Sequence, residues 1–121
     1  MKRMLKPSQI VTIGVIVLIA ACASFSQNAY KSLAVSQQTY DATLSALGDL
    51  YKQGKVSEAV KTKVIEAGTL YKTAHNQAVQ ALLNYDMAVT QADQEQMKKV
   101  YMTQIAEASK QLAVLLELAR P

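Results

Sequence analysis

Apolar residues recur every three or four positions through most of the chain, and that spacing predicts helix almost throughout. Tyr30, Leu33, Gln37, Tyr40, Leu44, Leu47 and Tyr51 fall on one helical face. Val60, Val64, Ala67, Tyr71, Ala74, Ala78, Leu82, Tyr85 and Val89 continue the pattern in a second segment. Met97, Tyr101, Ile105, Ala108, Leu112, Leu115 and Ala119 repeat it in a third. Strand alternation is sustained nowhere. Two breaks separate the segments. At Gln53-Gly54-Lys55, Gly54 can take the left-handed conformation that ends a helix, and Ser57 can cap the next one. Around Thr90 to Asp93, Asp93 with Gln96 three residues on forms a capping-box-like start. The pattern therefore predicts helices over about 30–52, 58–90 and 94–119.

Each seam mixes Tyr and Leu with Ala, so neighbouring helices can pack large against small in the near-aligned manner of coiled-coil bundles. The expected fold is all-α, an antiparallel up-down-up three-helix bundle spanning 30–121 behind an N-terminal signal or anchor segment. Folding about Gly54 brings Tyr40 near Ala67 and Tyr30 near Ala78. Folding about Ala92 brings Ala78 near Ala106 and Val64 near the C-terminus. The second helix, roughly 50 Å long at 1.5 Å per residue, is then the spine shared by the other two. The tip between the second and third helices, with Met87 and Met97, falls beside the N-terminal segment, and the Gly54 loop points away from it. Gly48 and Gly68 lie inside helical stretches, each costing about 1 kcal/mol against Ala.

The N-terminal segment has a different character. Lys2, Arg3 and Lys6 form a positive region, and Ile10 to Ala21 is a predominantly apolar run ending in small residues before Cys22. This is the layout of a secretory signal. As a helix, Ile10 to Cys22 would reach only about 20 Å, short of the roughly 30 Å hydrocarbon core. No charge occurs from Pro7 to Tyr30, however, so a helix recruiting Pro7 to Phe25 could just cross a bilayer. A cleaved signal and an uncleaved span both remain open on these residues.

Ile19-Ala20-Ala21-Cys22 resembles the bacterial lipobox: an aliphatic residue, a small residue, Gly, Ala or Ser, then an invariant cysteine. The resemblance covers the N-terminal segment alone. It implies a signal peptide over 1–21 cut before Cys22, and a Cys22 thiol alkylated with diacylglycerol. It further implies acylation of the new amino group, with palmitate-type chains holding the protein to the membrane. A thiolate is the nucleophile such chemistry needs, and two or three chains anchor where one binds only reversibly. In the Gram-negative sorting rule that accompanies this motif, Asp after the cysteine retains a lipoprotein in the inner membrane. Here Ala23 and Ser24 follow, which implies the outer membrane, with the domain facing the periplasm. Residues 22–29 would be the lipidated cysteine and a short polar tether. The whole chain also looks like the small helical lipoproteins of uncharacterised function found in bacterial genomes and prophages.

Cleavage would leave 100 residues, enough for one small domain. That part carries ten Lys or Arg against nine Asp or Glu, so the basic balance of the full chain belongs largely to the signal. A basic stripe for nucleic acid is absent. Cys22 is the single cysteine, so no disulfide forms within one chain.

Catalytic chemistry finds no constellation to rest on. His75 is the single histidine, and its helical neighbours Tyr71, Lys72, Ala78 and Val79 supply neither carboxylate nor metal ligand, which reads as a partly exposed helix-flank residue. Glu95 with Lys98 and Lys99, and Glu107 with Lys110, stand at helix-neighbour spacing, while Asp41, Asp49 and Asp86 have no obvious mates. Gly-rich phosphate loops and nucleophile elbows are missing. The six tyrosines lie on or beside the seams, which favours core-edge packing with hydroxyls reaching water over an aromatic gripping surface. The expectation is a membrane-anchored envelope protein with no enzyme activity, cofactor or metal. Its bundle would act as a structural or interaction module toward another envelope protein or a second copy. The alternative is an uncleaved single-pass protein of an envelope or prophage lysis apparatus. The Pro-rich character of outer-membrane spanin subunits is lacking, which argues against the lysis role.

Overall fold

The computed structural model describes the backbone from Pro7 to Arg120 and the side chains from Ser24 to Arg120. All three elements are helices: α1 (Pro7–Lys52), α2 (Glu58–Met87) and α3 (Gln91–Leu118). They form the expected three-helix bundle, with no strand among the described residues.

The turns follow from local chemistry. Gly54 takes φ +72°, its amide donates to the Tyr51 carbonyl, and the Lys55 amide donates to the Leu50 carbonyl. This pair of bonds is the Schellman closure, which satisfies carbonyls a helix end leaves open. Ser57 caps α2 by accepting from the Val60 amide at 3.2 Å. At α3 the cap differs from expectation. Thr90, not Asp93, is the capping residue, and its hydroxyl accepts from the Asp93 amide at 3.1 Å. Thr90 has the extended backbone a cap requires, whereas Asp93 already lies in the first helical turn, where its charge suits the dipole. The second helix accordingly stops at Met87, and Val89 lies outside it, 96% exposed.

The segment 23–28, polar enough to read as a tether, is helical and continuous with α1. Neither Gly nor Pro occurs between Gly14 and Gly48 to break it. Phe25 packs into the bundle, with its ring centroid 4.9 Å from that of Tyr85 and 5.7 Å, edge-on, from that of Tyr101. Ala29 is buried.

Packing is uneven. Ala67, Ala74, Ala78 and Ala81 of α2 and Ala108 of α3 are buried, and small residues at a seam let two helix backbones approach closely. Helices α2 and α3 form that close pair. Helix α1 stands further off, and larger side chains fill the gap. Two core clusters result. One joins Ala29 and Leu33 to Ala78, Leu82, Tyr85 and Tyr101; the other joins Tyr40 and Leu47 to Ala67, Tyr71, Ala108 and Leu115. Val64 packs on the second cluster together with Leu118 and Ala119, so the start of α2 meets the C-terminus as the register predicts. Gln111, absent from the apolar pattern, is buried too, and its amide donates to Glu107 one turn back.

Candidate functional site

The residues singled out for lipidation, Ile19, Ala20, Ala21 and Cys22, lie outside the residues whose side chains are described. Their backbone belongs to α1. Among the described residues no helix is long and apolar enough to cross a membrane.

What the side chains do show is a set of polar bonds tying α1 to its neighbours. Asp86, with no mate visible in sequence, accepts from the Ser26 hydroxyl at 2.7 Å and from the Tyr30 hydroxyl at 3.0 Å. Ala29 and Leu33, on either side of Tyr30, cluster with Ala78 as the register predicts, and the long Tyr30 side chain reaches from there toward the C-terminal end of α2. Burial, then the hydrogen bond and the charge of Asp86, hold the Tyr30 hydroxyl above its ordinary pKa. Tyr101 donates to the Ala29 carbonyl at 3.3 Å, and Tyr71 shares a 2.7 Å bond with Ser36. These two hydroxyls are satisfied inside the bundle rather than in water. Ser36 escaped the apolar pattern because a small polar residue carries no apolar signal, and Ala29 because its polar neighbours read as a tether.

His75 is half-buried, with Nε2 3.2 Å from the Leu33 carbonyl and its ring stacked against Tyr71 at 5.5 Å. A carbonyl only accepts, so Nε2 carries the hydrogen. With Ser36 and Tyr71, this contact marks the boundary between the two core clusters. Among the described residues its partners are this carbonyl and the Tyr71 ring, so the contact ties α1 to α2. Burial pushes Tyr40, Tyr71 and Tyr101 above the ordinary tyrosine pKa. The hydrogen bond with Ser36 partly opposes this in Tyr71, and the nearby Asp41 charge adds to it in Tyr40 and Tyr71.

The expected surface ion pairs are replaced by other contacts. Lys98 Nζ lies 4.9 Å from the centroid of the Phe25 ring, and Glu107 accepts from Gln111. Among the described residues, Glu117 and Arg120 make the ion pair, at 3.4 Å and well exposed. Such a pair contributes little to stability.

Because α1 stands off the α2–α3 pair, grooves run along it. Toward the Gly54 turn, Leu44, Leu47, Val56 and Val64 floor a groove of about 280 Å³, with Tyr51 and Lys61 at its mouth. Lys61 donates to the Tyr51 hydroxyl at 3.4 Å and sits over its ring at 4.9 Å. The groove continues past Ile65 into about 250 Å³ lined by Tyr40, Gly68, Thr69 and Lys72. On the opposite side of α1, Val35, Thr39, Ser109 and Leu112 line about 400 Å³. These are open apolar surfaces suited to packing. Among the described residues no group of His, Cys, Asp and Glu side chains could hold a metal ion.

No family model matches this chain, and comparison with curated proteins and with solved structures finds no match.

Proposed function

We propose that this protein is a small bacterial envelope lipoprotein, anchored through an acylated Cys22, whose helical bundle serves as a structural or protein-interaction module rather than as an enzyme. The observation that carries the reading is the order of the N-terminal residues: Lys2, Arg3 and Lys6, then the apolar run, then Ile19-Ala20-Ala21-Cys22. Exposed apolar side chains such as Val35 and Ile65 support an interaction role, since they line open grooves along the helices. The partner is another envelope protein or a second copy of this chain. Ala23 and Ser24 after the cysteine favour the outer membrane, with the bundle in the periplasm.

One observation favours a second reading. Helix α1 runs unbroken from Pro7 to Lys52, as an uncleaved single-pass protein would require. The intact mass of protein extracted from membranes of its native host separates the two. A species beginning at Cys22 with the added mass of acyl chains, lost in Cys22→Ala, supports the lipoprotein. A full-length, unlipidated species in both proteins rejects it in favour of the membrane span.

A further inference from the structure

We infer that the turn between α2 and α3, Met87 to Val89, rests in the headgroup layer of the membrane that holds the N-terminal segment, giving the bundle a second lipid contact beside its anchor. The inference builds on the anchoring reading, in either its lipidated or its spanning form.

Its basis is the level at which the turn stands. Asp86, in the last turn of α2, accepts from both Ser26 and Tyr30, and Phe25 packs on Tyr85 and Tyr101. These contacts fix the end of α2 beside the first described side chains of α1. Cys22 stands one turn before Ser26 on the same helix, about 6 Å along the axis. The chain leaves α2 in an extended conformation at Ala88, so Val89 lies past the last turn of α2, the end that stands beside Phe25 and Ser26. A bilayer that holds residue 22, or the run before it, therefore meets this turn.

The turn's chemistry suits that position. Met87 is 77% exposed and Val89 96%, the two most exposed large apolar side chains of the described chain. A single exposed apolar residue is ordinary, but a pair at the tip nearest the anchor has an apolar phase to enter. The charges around the turn do not form a cationic patch. Asp93 and Glu95 offset Lys98 and Lys99, Lys98 is turned onto Phe25, and Asp86 is occupied by its two hydroxyl donors. The contact is thus one of apolar burial, and it needs neither anionic lipid nor low salt.

The chain contains no tryptophan, so a single introduced one reports its own surroundings. Protein extracted from native membranes, carrying either Val89→Trp or Tyr51→Trp, is reconstituted into phosphatidylcholine vesicles with and without brominated acyl chains. Both positions are exposed, and helical circular dichroism verifies each fold. The expected result is blue-shifted emission from Val89→Trp, quenched by brominated lipid and unchanged by high salt. Tyr51→Trp, at the far end of α1, is not quenched. Vesicle flotation is read first. Protein that does not float overturns the anchoring reading and the turn contact with it. Protein that floats with an unquenched Val89→Trp, or with Tyr51→Trp quenched instead, overturns the turn contact alone.

Discussion

Tyr71 and Ser36 allow the packing between α1 and α2 to be tested with an asymmetry that the structure itself dictates. Tyr71 has no exposed surface, its ring stacks on Tyr40 at 4.3 Å and 11°, and its hydroxyl shares a 2.7 Å bond with the half-buried Ser36. Removing the whole side chain in Tyr71→Ala deletes the stack and opens a cavity, which costs about 3–5 kcal/mol for an aromatic residue. Tyr71→Phe keeps the ring and loses the hydrogen bond, at a cost of about 0.5–1.5 kcal/mol. Ser36 reaches water after that change, which places the cost toward the lower end. Ser36→Ala is different, because it leaves a fully buried hydroxyl without its partner, a penalty of about 1–3 kcal/mol. Ser36→Ala is therefore the more damaging of the two small changes. The double variant should recover stability relative to Ser36→Ala alone, since the orphaned hydroxyl is gone. Urea unfolding of the full chain in detergent, followed by helical circular dichroism, measures all four proteins. A Tyr71→Phe more damaging than Ser36→Ala, or a double variant equal to the sum of the singles within about 0.5 kcal/mol, would refute the reasoning.

Three further outcomes are expected from the same packing. Burial raises Tyr40, Tyr71 and Tyr101 above the ordinary value of 10.0 in the folded state. Their contribution is therefore complete below pH 10 and is lost as pH climbs from there through the folded values. Tyrosinate absorbance should rise together with helix loss, and a full titration near pH 10 with the helices intact would contradict this. Gly48→Ala meets no atom within 4 Å and should stabilise by up to about 1 kcal/mol. Gly68→Ala would place its Cβ 3.3 Å from the Tyr40 hydroxyl and should gain less, so equal thermal shifts would argue against that close approach. Thr90→Ala should cost about 1 kcal/mol through the lost cap, while Asp93→Asn, which removes only a charge near the dipole, should cost about 0.3–1 kcal/mol. A reversal of that order in thermal unfolding would return the capping role to Asp93.

Local chemistry determined a large part of this protein. Three-residue and four-residue spacing marks α2 and α3 and the outer part of α1, because a helix of 3.6 residues per turn buries one face whatever its partner. Gly54 and Ser57 specify their turn, since a left-handed residue and a side-chain cap satisfy backbone groups without outside help. The candidate anchor at Ile19 to Cys22 is likewise a matter of sequence, being a short linear motif.

Tertiary structure decided what depends on distance across the fold. Ser24 to Asn28 are polar enough for a tether, yet they continue α1 because Phe25 finds Tyr85 and Tyr101, residues far along the chain. Asp86 acquires two hydroxyl donors and His75 a carbonyl only when antiparallel helices align. The close α2–α3 pairing, and the grooves it leaves along α1, depend on which alanines face one another. Periodicity reports that a face is buried; the neighbour it is buried against is set by packing, because small side chains gain most where two backbones can meet.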